Sequence, residues 1–137
     1  MYLLDTHILS ELRRPKPHGA VVAWMKSVPE QQLFVSAVSL GGIQASIELA
    51  RDQDPLSAEA LEHWADQVAD SHQVLPMDTA TFRIWARLMH RRSDTLYEDA
   101  MIAATAQRHG LTVATRNVSD FLSFGVTHYN PFDGKSG

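Results

Sequence analysis

The chain has 137 residues, enough for one compact domain, and an apolar fraction of 45% that can build a core without staples. It has no cysteine, which excludes a disulfide framework and thiolate metal ligation. The formal net charge of −4 argues against a surface made for indiscriminate nucleic-acid binding, so any such role must rest on local charge.

Met1 to Leu4 is a short apolar run followed by Asp5-Thr6, and reads as a buried strand ending at a helix N-cap. Ile8, Leu9 and Leu12 mark one face of the helix that follows, and Arg13-Arg14-Pro15-Lys16-Pro17 stops it. Val21 to Val28 is a second short helix halted by Pro29, and Leu33 to Ser36 a second strand. Val38 to Arg51 has helical spacing, and Pro55 to Ser71 is an amphipathic helix around Leu61, Trp64 and Val68. Val74 to Met77 is a brief third strand. Asp78-Thr79 opens a helix carrying Phe82, Trp85, Leu88 and Met89. Asp94-Thr95 is expected to cap the next helix, where Ala100, Ala103, Ala104 and Ala106 give a slim packing face, and His109-Gly110 ends it. Leu111 to Ala114 and Val126 to Tyr129 complete the strands. The polar stretch from Pro131 to Gly137 is expected to fray, with one domain over residues 1–132 and a disordered tail over 133–137.

Strands alternating with helices predict a three-layer α/β/α domain around a mostly parallel sheet of about five strands. No secretory signal and no apolar run near the length of a membrane span is visible, so a cytoplasmic protein that does not meet the membrane is expected. In open parallel sheets, working sites lie beyond the carboxyl ends of the strands at a topological switch point. Residues that directly follow strands are therefore the ones to inspect.

Asp5 directly follows the first strand and serves either as a helix cap or as a metal ligand. Glu98 and Asp99 sit near the start of the Ala-rich helix, where acids favour the helix dipole. Asp99 shares the inward face with Ala103, and an acid there needs a partner or a cation. Glu98 projects about 100° away, towards solvent. Thr115-Arg116-Asn117 follows the fourth strand, with Asp120 one turn on. Asn117 and Asp120 either cap the next helix or touch a metal and its waters; Thr115 can orient such a group, and Arg116 can meet a phosphate or a surface acid. Oxygen donors from separated segments suit Mg²⁺ or Mn²⁺, which keep several waters. The histidines show no zinc spacing, although His7 is placed to point at the same crevice. Arg83, Arg87 and Arg91 recur every four residues and are expected to share one helix face. Trp24, Trp64 and Trp85 fall on apolar faces.

Together these segments resemble the PIN domain, and within it the VapC/FitB-like toxins of type II toxin–antitoxin modules. The resemblance runs from Met1-Tyr2-Leu3-Leu4-Asp5-Thr6 through Ser36-Ala37-Val38-Ser39-Leu40-Gly41 and Leu96 to Ala106. It continues in Val113-Ala114-Thr115-Arg116-Asn117, Asp120-Phe121 and Asn130-Pro131-Phe132, and so covers nearly the whole chain. It implies a Mg²⁺- or Mn²⁺-dependent endoribonuclease and a homodimer. It also implies an antitoxin partner that blocks the site and alone contacts operator DNA.

Under this resemblance Asp5 and Asp99 hold the metal, Asn117 and Asp120 assist catalysis, and Thr6, Thr115 and Arg116 contact substrate. His7 replaces a usual Asn. Gly42 stands where the family's second acid belongs, leaving that position degenerate. Two adjacent glycines in a helical stretch cost about 1 kcal/mol each relative to Ala, so a lost carboxylate accounts for Gly42 better than a local structural need. Glu48 lies nearly two turns on, roughly 9 Å along the axis, too far to take its place. Two functional readings follow: a nuclease weakened or silenced by Gly42, or a non-catalytic antitoxin-binding partner in operon autoregulation. A phospho-receiver domain fits poorly, because Asp5 stands alone after its strand and the only late Lys is in the tail.

Overall fold

The computed structural model describes residues 1–133; the tail beyond Asp133 lies outside the described residues. In chain order the elements are β1 (Tyr2–Leu4), α1 (Thr6–Arg13), α2 (Gly19–Ser27), β2 (Leu33–Ser36), α3 (Ala37–Gln53) and α4 (Pro55–Ser71). They continue with β3 (Gln73–Leu75), α5 (Thr79–Met89), α6 (Tyr97–His109), β4 (Thr112–Ala114), α7 (Val118–Ser123) and β5 (His128–Tyr129).

All five strands pair in parallel, in the order β3-β2-β1-β4-β5. The chain therefore builds outward from β1 to β3, then returns to the other side of β1 to lay down β4. That reversal puts the switch point between β1 and β4, where Leu4 pairs with Ala114. A receiver-type sheet has the order 2-1-3-4-5, so this topology excludes that alternative.

Strand alternation divides the core. Leu4, Val35 and Ala114 face a cluster with Ile8, Leu9, Val21, Ile43, Ile47 and Ala58, contributed by α1 to α4. Leu3 and Val113 face the opposite cluster, with Ala100, Ile102, Ala103, Ala106 and Phe121 from α6 and α7. Helices on both faces of one sheet make the three-layer architecture expected. The buried alanines let α6 lie close to the strands, and it ends at Gly110, whose φ of 66° is the left-handed conformation glycine takes without strain. Trp24 is buried, while Trp64 and Trp85 pack half-buried against the two clusters.

Several local expectations are corrected. Asp94-Thr95 does not cap α6: Ser93 caps a 3₁₀ turn over Asp94–Leu96 that runs straight into Tyr97, and α6 has no side-chain cap. The third strand starts at Gln73 and stops at Leu75, because Pro76 has no N–H to continue the ladder. The arginine stripe is broken, since α5 ends at Met89 and Arg91 lies beyond it in a left-handed turn with φ 63°. Pro131 does not begin a frayed tail: Pro131–Asp133 forms a 3₁₀ turn with Pro131 buried and Phe132 packed on the core.

Candidate active site

Asp5 begins where β1 ends. Its backbone N–H still donates to Ala114 O across the switch point, at 2.9 Å, so its position is set by the sheet. Its side chain is only 1% exposed. Thr6 N donates to one carboxylate oxygen (2.7 Å) and the buried Thr115 hydroxyl donates to the other (2.8 Å). Asp5 thus caps α1 and also points at the crevice, so the two readings of this residue are compatible. Burial pushes its carboxyl above the ordinary acid range, while the hydrogen bond from Thr115, the nearby His7 and the Thr6 amide pull the other way.

The opposite wall comes from α6 and α7. Asn117 Nδ2 donates to Asp99 Oδ2 at 3.1 Å and to Asp120 Oδ2 at 2.7 Å, bridging two acids. Asn117 occupies the N-cap position of α7, but its side chain makes no cap bond there; it is turned to the acids instead. Thr115 Oγ1 accepts from Asn117 N at 2.9 Å, so one threonine organises both walls. Asp99 is half-buried, and its carboxyl is pushed up to about 6 by burial first, then by the charge of Asp5, by Asp120 beside it and by Glu98. Asp5, Asp99 and Asp120 thus line one crevice at the carboxyl ends of β1 and β4, linked through Thr115 and Asn117.

Other side chains complete the surroundings. Thr6 Oγ1 lies 2.7 Å from the buried Ser39 Oγ and 3.4 Å from Glu98 Oε1, so its one hydroxyl proton serves either partner but not both together. Next to the acids opens a cavity of about 530 Å³ lined by His7, Ser10, Glu11, Arg14, Arg116, Asn117 and Phe132. Arg116 is exposed and lies over the Phe132 ring, 4.2 Å from its centroid. Arg14 pairs with the buried Glu11 at 3.3 Å.

Gly42 lies in the second turn of α3, in ordinary helical backbone; glycines with positive φ are Gly110 and Gly125 among the described residues. No backbone conformation therefore requires glycine there. A Cβ added at Gly42 would meet Glu98 Oε1 at 3.3 Å, whereas one added at Gly41 would meet nothing within 4 Å. Glu98 was expected to point to solvent. Its residue is exposed, but its carboxylate reaches the crevice between Gly42 and Thr6. A long side chain can bend back in this way, which the 100° helical offset does not capture. Glu48 is engaged outward with Gln44 and Arg51.

Among the described residues no three His, Asp or Glu side chains form a ready-made metal cage. The donors present are carboxylates, an amide and hydroxyls, which fits a hydrated hard cation needing only one or two carboxylates, not zinc. No helix is long and apolar enough to cross a membrane among the described residues.

Fold and site together define a doubly wound parallel α/β domain with an acidic crevice at its switch point. The PIN domain family matches residues 2–123, and the chain belongs to it. It is 31% identical to Toxin FitB of Neisseria gonorrhoeae, across 96% of this chain and 99% of that protein. It is 33% identical to VapC ribonuclease Y4jK of Sinorhizobium fredii, across 97% and 99% of the two chains. Among solved structures, FitAB bound to a DNA fragment superposes with a TM-score of 0.83 at 30% identity, covering 96% of both chains.

Proposed function

We propose that this chain is the endoribonuclease toxin of a type II toxin–antitoxin module, working in the cytoplasm as a homodimer with Mg²⁺ or Mn²⁺. The observation that carries this reading is the convergence of Asp5 and Asp99, from opposite sides of the switch point, on one crevice organised by Thr115 and Asn117. The ribonuclease and toxin names of relatives that span nearly the whole chain support it.

Asp5 and Asp99 are the residues that would hold the ion. The raised carboxyl of Asp99 reflects burial first and then the neighbouring acids Asp5, Asp120 and Glu98, and a bound cation would offset both. When bound, a divalent ion lowers the pKa of water and offsets charge on phosphate oxygens. The protein's own groups do the rest. Thr6 and Thr115 fix Asp5; Asn117 holds Asp99 and Asp120 at a set spacing. Arg116 and Arg14 line the adjoining cavity and meet the RNA backbone, while the Phe132 ring gives Arg116 a firm seat. A small antitoxin covers this crevice and carries the contacts to operator DNA; the similar FitAB, solved bound to a DNA fragment, supports the DNA-bound setting.

The test is cleavage of defined RNAs with Mn²⁺ by the wild type, Asp5→Asn, Asp99→Asn and Gly42→Glu. Cleavage by the wild type or Gly42→Glu, lost when either Asp is changed, is expected. No cleavage by any of them, with no Mn²⁺ binding, overturns the reading. The missing side chain at Gly42 favours one alternative, a non-catalytic partner kept for autoregulation. That reading requires full antitoxin affinity with no cleavage from the wild type.

A further inference from the structure

The molecule has an acidic side chain standing in a gap that a glycine leaves open. We propose that Glu98 adds a further carboxylate to the wall of the crevice from α6, beside the ion's position and not as part of a closed cage, by leaning into the space over Gly42 that a side chain on α3 would otherwise fill. The inference rests on the metal-dependent reading of the site and names a residue for it.

Two distances put Glu98 there. Its Oε1 lies 3.3 Å from where a Gly42 Cβ would stand, a separation tighter than ordinary van der Waals contact. The same oxygen is 3.4 Å from Thr6 Oγ1, and Thr6 directly follows Asp5. Glu98 therefore touches both the α1 side and the α3 side of the crevice while springing from the first turn of α6. Any larger residue at position 42 and Glu98 in its present pose compete for one volume. A side chain at 42 would thus push the Glu98 carboxylate aside by a few tenths of an ångström or more, which ties this glycine to the present position of Glu98.

Position and number of carboxylates tune affinity for a hard divalent ion, so removing one is read directly in binding. Mn²⁺ affinity is measured by calorimetry and by electron paramagnetic resonance of free Mn²⁺, with no RNA present. Glu98→Gln keeps the shape and is expected to weaken Mn²⁺ binding about tenfold or more. Gly42→Ala is the sharper probe. Alanine favours the helix, so the melting temperature is expected to rise, yet the new methyl displaces the Glu98 carboxylate and Mn²⁺ binding falls. Gly42→Glu combined with Glu98→Ala moves the carboxylate to α3 and is expected to restore binding that Glu98→Ala alone loses.

Wild-type Mn²⁺ affinity in Glu98→Gln, with the loss confined to Asp5→Asn and Asp99→Asn, overturns the inference and leaves the metal-dependent reading intact. No Mn²⁺ binding by the wild type overturns both. A rise in stability and in affinity together for Gly42→Ala also overturns it, because a purely structural Glu98 would not oppose the two.

Discussion

Helix α1 carries two acids that are both almost fully buried, Asp5 just before its first residue and Glu11 in its last turn, at 1% and 7% exposure. Their electrostatics run in opposite directions. Burial pushes Glu11 up, but the His18 N–H (3.0 Å) and the Arg14 guanidinium overcome it, and its carboxyl sits below the ordinary range. Asp5 has two good donors as well, yet among the described residues no Arg or Lys pairs with its carboxylate, and burial leaves its carboxyl above the range. Glu11 ties the end of α1 to the loop leading into α2, a task completed within the fold. Asp5 and its neighbours are left with charge that the fold does not cancel. An acid with its charge compensated is architecture; a group of acids without compensation is a candidate site for a cation or a substrate.

Substitutions at the two ends of the helix should separate these roles. The largest expected effect is on activity: Asp5→Asn keeps shape and lowers RNA cleavage at saturating Mn²⁺ by at least about a hundredfold, with the melting temperature held or raised. A lowered melting temperature with cleavage retained would place Asp5 beside Glu11 as a structural acid. Glu11→Gln is expected to do the reverse, lowering the melting temperature by a few degrees, because the His18 amide and Arg14 lose a charged acceptor, with cleavage per folded molecule little changed.

A smaller effect tests the sign of the uncompensated charge. The ordinary value for Asp99 is 3.8 and in the folded protein it is about 6. Between those values the native state holds a proton that the unfolded chain has released, so the stability of the metal-free protein falls as pH rises through that window. At pH 7.5 the penalty is fully present. Asp99→Asn should remove it and stabilise the metal-free protein by about 1 kcal/mol, after allowance for solvent screening, or roughly 4 °C. The gain should disappear near pH 4, and Mn²⁺ should no longer raise the melting temperature. A melting curve that is flat with pH, or a loss of stability in Asp99→Asn at pH 7.5, would contradict the picture of Asp5, Asp120 and Glu98 crowding one carboxyl.

The legibility of the sequence followed the same division. The alternation Leu3/Leu4 and Val113/Ala114 and the buried alanines of α6 announced the layers, because burial on two faces leaves a periodic trace. Asp5 and Thr115-Asn117 were visible by rule, since they follow strands at a switch point. The reach of Glu98 into the crevice is not legible in a helical offset, which gives the direction of Cα–Cβ and not the reach of a long side chain. The signal that could have found it was negative, a glycine at 42 without a turn to justify it. Asp94 failed as a cap because Ser93 offers an equivalent oxygen one residue earlier, and local sequence does not choose between adjacent capping residues. Glu11 drew no attention, since its partners His18 and Arg14 matter only after the chain bends at Pro15 and Pro17.

The smallest effect is expected where charge meets solvent, at Arg116. Its guanidinium rests on Phe132 and faces the cavity beside the acids, so it can act by packing or by meeting phosphate. The two roles differ in salt dependence. If Arg116 contacts one backbone phosphate, Arg116→Ala reduces the slope of log affinity for single-stranded RNA against log salt by about 0.7, with an effect that shrinks at high salt. Arg116→Lys keeps the charge and loses part of the stacking, so it should retain the wild-type slope with a small loss of thermal stability. If instead Ala and Lys lose stability equally and neither alters the slope, Arg116 is only a cover for Phe132. The RNA path must then be sought on the Arg14 side of the cavity, next to the acid that the fold has already neutralised.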